Sequence, residues 1–209
     1  VHESGGSLAW QYCCTIADIG TLNESSLHAQ LKQWLSEPGD DLEFSLDGFV
    51  IDIRRGDLLI EVQTGSFGAM GRKLDRLLAD YQIQLVHPIA TETYLHKPGA
   101  KPRRSPNRGT VYSVLNELVS IPTLLDHPNL TLDVFLVTVD KFQKHDPKAR
   151  RGRGGWRTTD KQLRSIEELY HFTDTDDLVA LMPADLPTTS TTAAIAAAGG
   201  TARGGAQKL

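Results

Sequence analysis

The chain has 209 residues, of which 40% are apolar and 23% charged, with a formal net charge of −4. This is the composition of an ordinary globular protein, long enough for one substantial domain plus a small second one. No apolar run approaches the roughly 18–20 residues that span a bilayer, and the two adjacent cysteines, Cys13 and Cys14, neither bridge each other readily nor make a structural zinc site alone.

A reducing cytoplasm is the expected compartment. The N-terminus carries no basic-then-apolar secretory pattern and no Met, so Val1 reads as a processed start. Charge is unevenly spread. Residues 1–100 carry 7 Lys/Arg against 14 Asp/Glu, and residues 101–166 carry 13 against 6. A basic block beside an acidic one suits a protein that grips a polyanion with one part and holds cations with another, although a solvated loop would look the same.

In chain order, residues 8–19 are apolar-rich and fit a strand or a buried helix. Residues 21–35 predict a helix, with Leu27, Leu31, Trp34 and Leu35 on one stripe. After the breaker "SEPGDD" come a strand near 42–46, a hairpin over 47–65, and a helix in "SFGAMGRKLDRLLADY". A strand follows at 82–90, ended or bent at Pro88. Residues 97–109 form a Pro/Gly/basic linker. Residues 110–125 are mostly helical, stopping near Pro122. "LTLDVFLVTVDKF" is a strong strand, and a basic Gly-rich loop then leads into a helix running through Leu169. The tail predicts short helices resembling an incomplete helix-turn-helix.

The hairpin "DGFVIDIRRGDLLIEVQTG" poses the functional question. A turn centred on Arg55–Gly56 would set Asp52 opposite Leu59. Alternation gives one apolar face of Phe49, Ile51, Ile53, Leu58, Ile60 and Val62. The other face holds Val50, Asp52, Leu59, Glu61 and Gln63. Strand stability does not ask for two carboxylates here, and they repel unless something positive joins them. Hard oxygen ligands suit Mg²⁺ or Mn²⁺. A half-exposed edge hairpin with incidental polar positions is the plainer explanation.

Glu24 in "LNESSLHAQL", Asp52 in "FVIDIRR", and Glu61 and Gln63 in "LLIEVQTG", followed by a helix and a strand, resemble the PD-(D/E)XK nuclease superfamily over roughly residues 21–90. The resemblance implies an α/β fold with a mixed central β-sheet flanked by helices, restriction-endonuclease-like, over residues 8–170; the tail over 171–209 reads by its own composition as a small helical module, an incomplete helix-turn-helix or winged helix. It implies that Asp52 and Glu61 bind Mg²⁺ or Mn²⁺, with the Val62 carbonyl completing the coordination and Glu24 contributing from the helix. Gln63 stands where the family usually has Lys; it can orient a water but carries no charge. Lys73 or Arg72 on the following helix offers a replacement charge, or else a solvated helix face. Asp47 is the alternative strand ligand if Gly48 makes a bulge, and Glu24 alternatively closes a capping box with Thr21.

Lys73, Arg103, Arg104, Arg108, Arg150, Arg151, Arg153 and Arg157 are the expected nucleic-acid contacts, with Trp156 among them as a stacking or packing residue. His87, ending a strand beside Pro88, is the best placed of the seven histidines, with a structural role as its bland alternative. The function expected is metal-dependent hydrolysis of DNA phosphodiesters, with RNA an open alternative and a catalytically inactive DNA-binding module as runner-up. Cutting both strands of a duplex would need two sites, the one reason to expect a homodimer.

Overall fold

The computed structural model describes residues 25–147 and 155–181. The stretch 8–19, Glu24, Arg150, Arg151, Arg153 and the tail beyond 181 lie outside the described residues. The protein is α/β, with a seven-stranded mixed sheet flanked by helices and ending in a short helix.

Helix α1 (Ser26–Leu35) starts at the N-cap Ser25, whose side chain accepts from the His28 amide. The capping box considered for Thr21 and Glu24 lies outside the described residues. Leu27 and Leu31 are buried, while Trp34 is half exposed and meets Phe135 edge-on at 5.3 Å. Strands β1 (Asp41–Leu46), β2 (Phe49–Arg55) and β3 (Leu58–Val62) form an antiparallel meander. The β1–β2 turn is Asp47–Gly48, with φ of 50° and 80°. Asp-Gly suits this turn because both residues must adopt positive φ. The β2–β3 turn is Gly56–Asp57, since Arg55 pairs with Leu58 and Ile53 with Ile60. That is one residue later than Arg55–Gly56, because Gly56 (φ 58°) takes the left-handed position at no steric cost.

Helix α2 (Gly71–Leu77) then crosses over to β4 (Gln82–His96), which lies parallel to β3. Pro88 does not end β4. Val86 and Ala90 turn their carbonyls to Gln63 and Gly109, so alternation points the N–H that Pro88 lacks toward the same edge. There β3 has already finished, and no ladder bond to the other neighbour is lost. The expected linker contains a two-residue strand, β5 (Arg103–Arg104), which occupies that vacated edge. Helix α3 (Leu115–Leu118) follows, then β6 (Leu130–His145), parallel to β4.

The helix expected through Leu169 is instead a 17-residue strand, β7 (Trp156–Phe172), antiparallel to β6. Leu163 and Ile166, three apart, look helical, yet they pair with Val139 and Val137, two apart. A bulge between them adds the extra residue and keeps both on one face. Helix α4 (Thr175–Val179) closes against the same body, where Tyr112 Oη donates to the Leu181 carbonyl at 2.7 Å.

Two core layers sandwich the sheet. One, with Phe67, Leu74, Leu85, Val114, Leu118 and Val134, lies under α2 and α3; the other, with Leu27, Leu31, Ile53, Ile60, Val62, Val86 and Val137, lies under α1. Among the described residues no helix is long and apolar enough to cross a membrane.

Candidate functional site

β2 does not keep one apolar face. Ile51 belongs to the layer under α2 and Ile53 to the layer under α1. The strand rotates at Asp52, opposite Glu43, whose φ of 52° distorts β1 at the same level. Continuing the β2–β3 register from Ile53↔Ile60 would face Asp52 with Glu61. Instead the Val62 amide donates to the Asp52 side chain, Oδ2, at 2.8 Å. The carboxylate takes the place of a ladder carbonyl, and the sheet opens between the two strands. An N–H and a C=O of one strand residue point the same way, so the Val62 carbonyl faces this opening too.

Two helices reach the opening from opposite sides of the sheet. From α1, His28 Nε2 lies 3.1 Å from Asp52 Oδ2. From α2, the Lys73 ammonium pairs with Glu61 Oε1 and donates to the Val50 carbonyl at 2.6 Å. Both partners of the Lys73–Glu61 pair are nearly enclosed, their side chains 13% and 7% exposed. Burial pushes the Glu61 carboxyl up to about 7, with Lys73 opposing the rise and the Asp52 charge adding to it. A carboxylate this buried is held by its neighbours' charges rather than by water.

Gln63 stands apart from this pair. Its side-chain amide donates to the Ser66 carbonyl at 2.7 Å, closing the loop after β3. His87 supports the same loop from β4. Its Nδ1 lies 2.6 Å from the Gln63 carbonyl, which fixes the proton on Nδ1, and its ring packs edge-on against Phe67 at 4.9 Å. Burial holds the imidazole below its usual range. His87 is thus a neutral structural residue, the bland alternative.

The opening therefore gathers Asp52, Glu61, the Val62 carbonyl and Lys73, and adds His28, which sequence reasoning passed over. Its signal was available: His28 is one of the residues of "LNESSLHAQL", four positions after the Glu already suspected. Lys73 is a charge partner inside the site rather than part of a solvated helix face. Asp47 is excluded as strand ligand, since it sits in the β1–β2 turn paired with Arg76 at 2.7 Å. Arg103, Arg104, Arg108 and Arg157 are exposed, and Arg104 pairs with Glu92. Among the described residues no three His, Cys, Asp or Glu side chains are grouped to hold a metal. The donors present, two carboxylates and one backbone carbonyl, are all hard oxygens, the set that fits Mg²⁺ or Mn²⁺.

A family model described as a domain of unknown function, DUF8091, matches residues 25–173. The chain belongs to this family. The DUF8091 span covers both helices at the opening and runs from the N-cap of α1 to just past the end of β7. An uncharacterized protein of Treponema pallidum (strain Nichols) is 29% identical over 175 residues, covering 81% of this chain and 70% of the relative. No solved structure matches the chain significantly.

Proposed function

We propose that this DUF8091 protein is a metal-dependent nuclease that hydrolyses DNA phosphodiester bonds, with Asp52 and Glu61 as metal ligands. The observation that carries the reading is the opening in the sheet, where a buried carboxylate, a second carboxylate and a lysine meet among apolar layers. Burying such a group costs stability, and carboxyls perturbed in this way cluster at functional sites. The order helix, three antiparallel strands, helix, parallel strand also agrees with what resemblance to the PD-(D/E)XK superfamily implies.

In this mechanism Asp52, Glu61 and the Val62 carbonyl would hold Mg²⁺ or Mn²⁺, which supplies Lewis acidity at the phosphodiester. His28 and the Val62 amide fix the orientation of Asp52. Lys73 brings the positive charge that Gln63 lacks, from a helix rather than from the strand, and stabilises negative charge developing on the phosphate. The commitment of the Gln63 amide to Ser66 favours the runner-up, a DNA-binding module without catalysis. A cytoplasmic location and a homodimer for double-strand cutting belong to the same proposal.

The test is cleavage of plasmid and single-stranded DNA by purified protein with Mn²⁺, Mg²⁺ or EDTA. Wild type should cut only with metal, and Asp52→Asn, Glu61→Gln and Lys73→Met should each lose at least 100-fold of the rate, the scale of removing one such electrostatic group. No cutting by wild type, with DNA binding intact in all four proteins, would transfer the assignment to the runner-up.

A further inference from the structure

A separate cavity of about 210 Å³ lies on the α1 side of the sheet, and Thr64, Thr93, Ser105, Asn107, Lys141 and Lys161 supply its polar lining. Among the described residues no carboxylate lines it. Lys141 and Lys161 are a cross-strand pair, directly opposite each other on β6 and β7. Like charges in this position destabilise a sheet. The neighbouring carboxylates do not relieve them: Asp140 is held by His96 and Arg164, and Asp160 by Ser26 and Gln162. Among the described residues neither lysine has an ion-pair partner. Burial and the Lys141 charge together hold the Lys161 ammonium below its usual range. Among the described residues the two lysines thus stand as uncompensated cations over hydroxyl and amide groups.

We propose that this cavity is a phosphate-binding site, with Lys141 and Lys161 as its charged arms and Thr64, Thr93, Ser105 and Asn107 as hydrogen-bonding groups. A group carrying negative charge on several oxygens answers both the repulsion and the set of polar partners. The cavity adjoins the carboxylate site along the chain: Thr64 follows Glu61 by three residues, and Leu27, in its wall, precedes His28. A phosphate held here comes either from a nucleic-acid strand passing the carboxylates or from a free phosphate ester. The site stands whether or not the carboxylates cut.

The experiment is a thermal titration of the full chain with inorganic phosphate, at ionic strength held constant with sodium chloride. Wild type should gain stability saturably with phosphate and not with chloride. Lys141→Met and Lys161→Met should each abolish the gain while melting no lower than wild type in phosphate-free buffer, because the repulsion is gone. Glu61→Gln should respond as wild type does, which separates this site from the hydrolytic one. Equal responses to phosphate and chloride, or lysine variants that respond like wild type, would overturn the proposal. Anisotropy with a labelled 12-nucleotide single strand identifies the source. About tenfold weaker binding in each variant, with a log–log salt slope shallower by about one, identifies strand phosphate. Unchanged strand binding alongside a lost phosphate response identifies a free ester.

Discussion

Replacing Glu61 with Gln should make the protein more stable at pH 8 and leave it unchanged at pH 4.5. The carboxyl is raised from 4.5 to about 7, and its side chain is only 7% exposed, so solvent screening relieves little of the effect. Below about pH 4.5 the acid is protonated in both folded and unfolded chains, and no penalty exists. Between 4.5 and 7 the unfolded chain ionises while the folded one resists. Above 7 the folded chain carries a charge its surroundings disfavour. At about 1.4 kcal/mol per pH unit, the penalty reaches about 3 kcal/mol. Near pH 4.5 a neutral Glu61 and a Gln face Lys73 alike, so the two proteins should melt together. At pH 8 the variant should melt roughly 6–12 °C higher, at about 2–4 °C per kcal/mol for a domain of this size. Adding Mg²⁺ or Mn²⁺ at pH 8 should stabilise wild type and not the variant, by about 2.7 kcal/mol at a hundred times the dissociation constant. Melting curves followed by circular dichroism across pH 4.5–8 are the assay. A constant offset between the two proteins would mean that Glu61 titrates normally and that the burial argument fails.

Two further outcomes probe the geometry. Asp52→Ala strips the Val62 amide of its acceptor and should cost about 1–3 kcal/mol, whereas Asp52→Asn keeps an oxygen there and should cost less. Denaturant melts that rank the two equally would argue against Asp52 as a substitute for a ladder carbonyl. Gly109→Ala would put a Cβ 2.5 Å from Ile89 Cγ2 and 2.9 Å from the Ala90 carbonyl oxygen, and should destabilise the protein by about 1–3 kcal/mol. An unchanged melting temperature would show that the segment holding the β4 edge is free to move.

The sequence alone determined the elements whose signal is local. The Leu27–Leu31 stripe and the alternation through Leu130–Val139 each state their structure within a few residues, because hydrophobic period is a short-range property. Carboxylates at Asp52 and Glu61 were legible as a conflict with strand propensity, and the structure brings them to one opening. What local pattern did not carry was anything set by a partner strand. Strand β7 reads as a helix because its bulges are defined only against β6, and Pro88 reads as an end or a bend because only the tertiary structure reveals that β3 has left that edge. The rotation of β2 at Asp52 likewise depends on packing, as do the reach of His28 to Asp52 across 23 intervening residues, that of Lys73 to Glu61 across 11, and the pairing of Lys141 with Lys161 across 19. Burial then turns an ordinary Glu into a group raised to about 7, since desolvation exists only once two core layers have closed around the sheet.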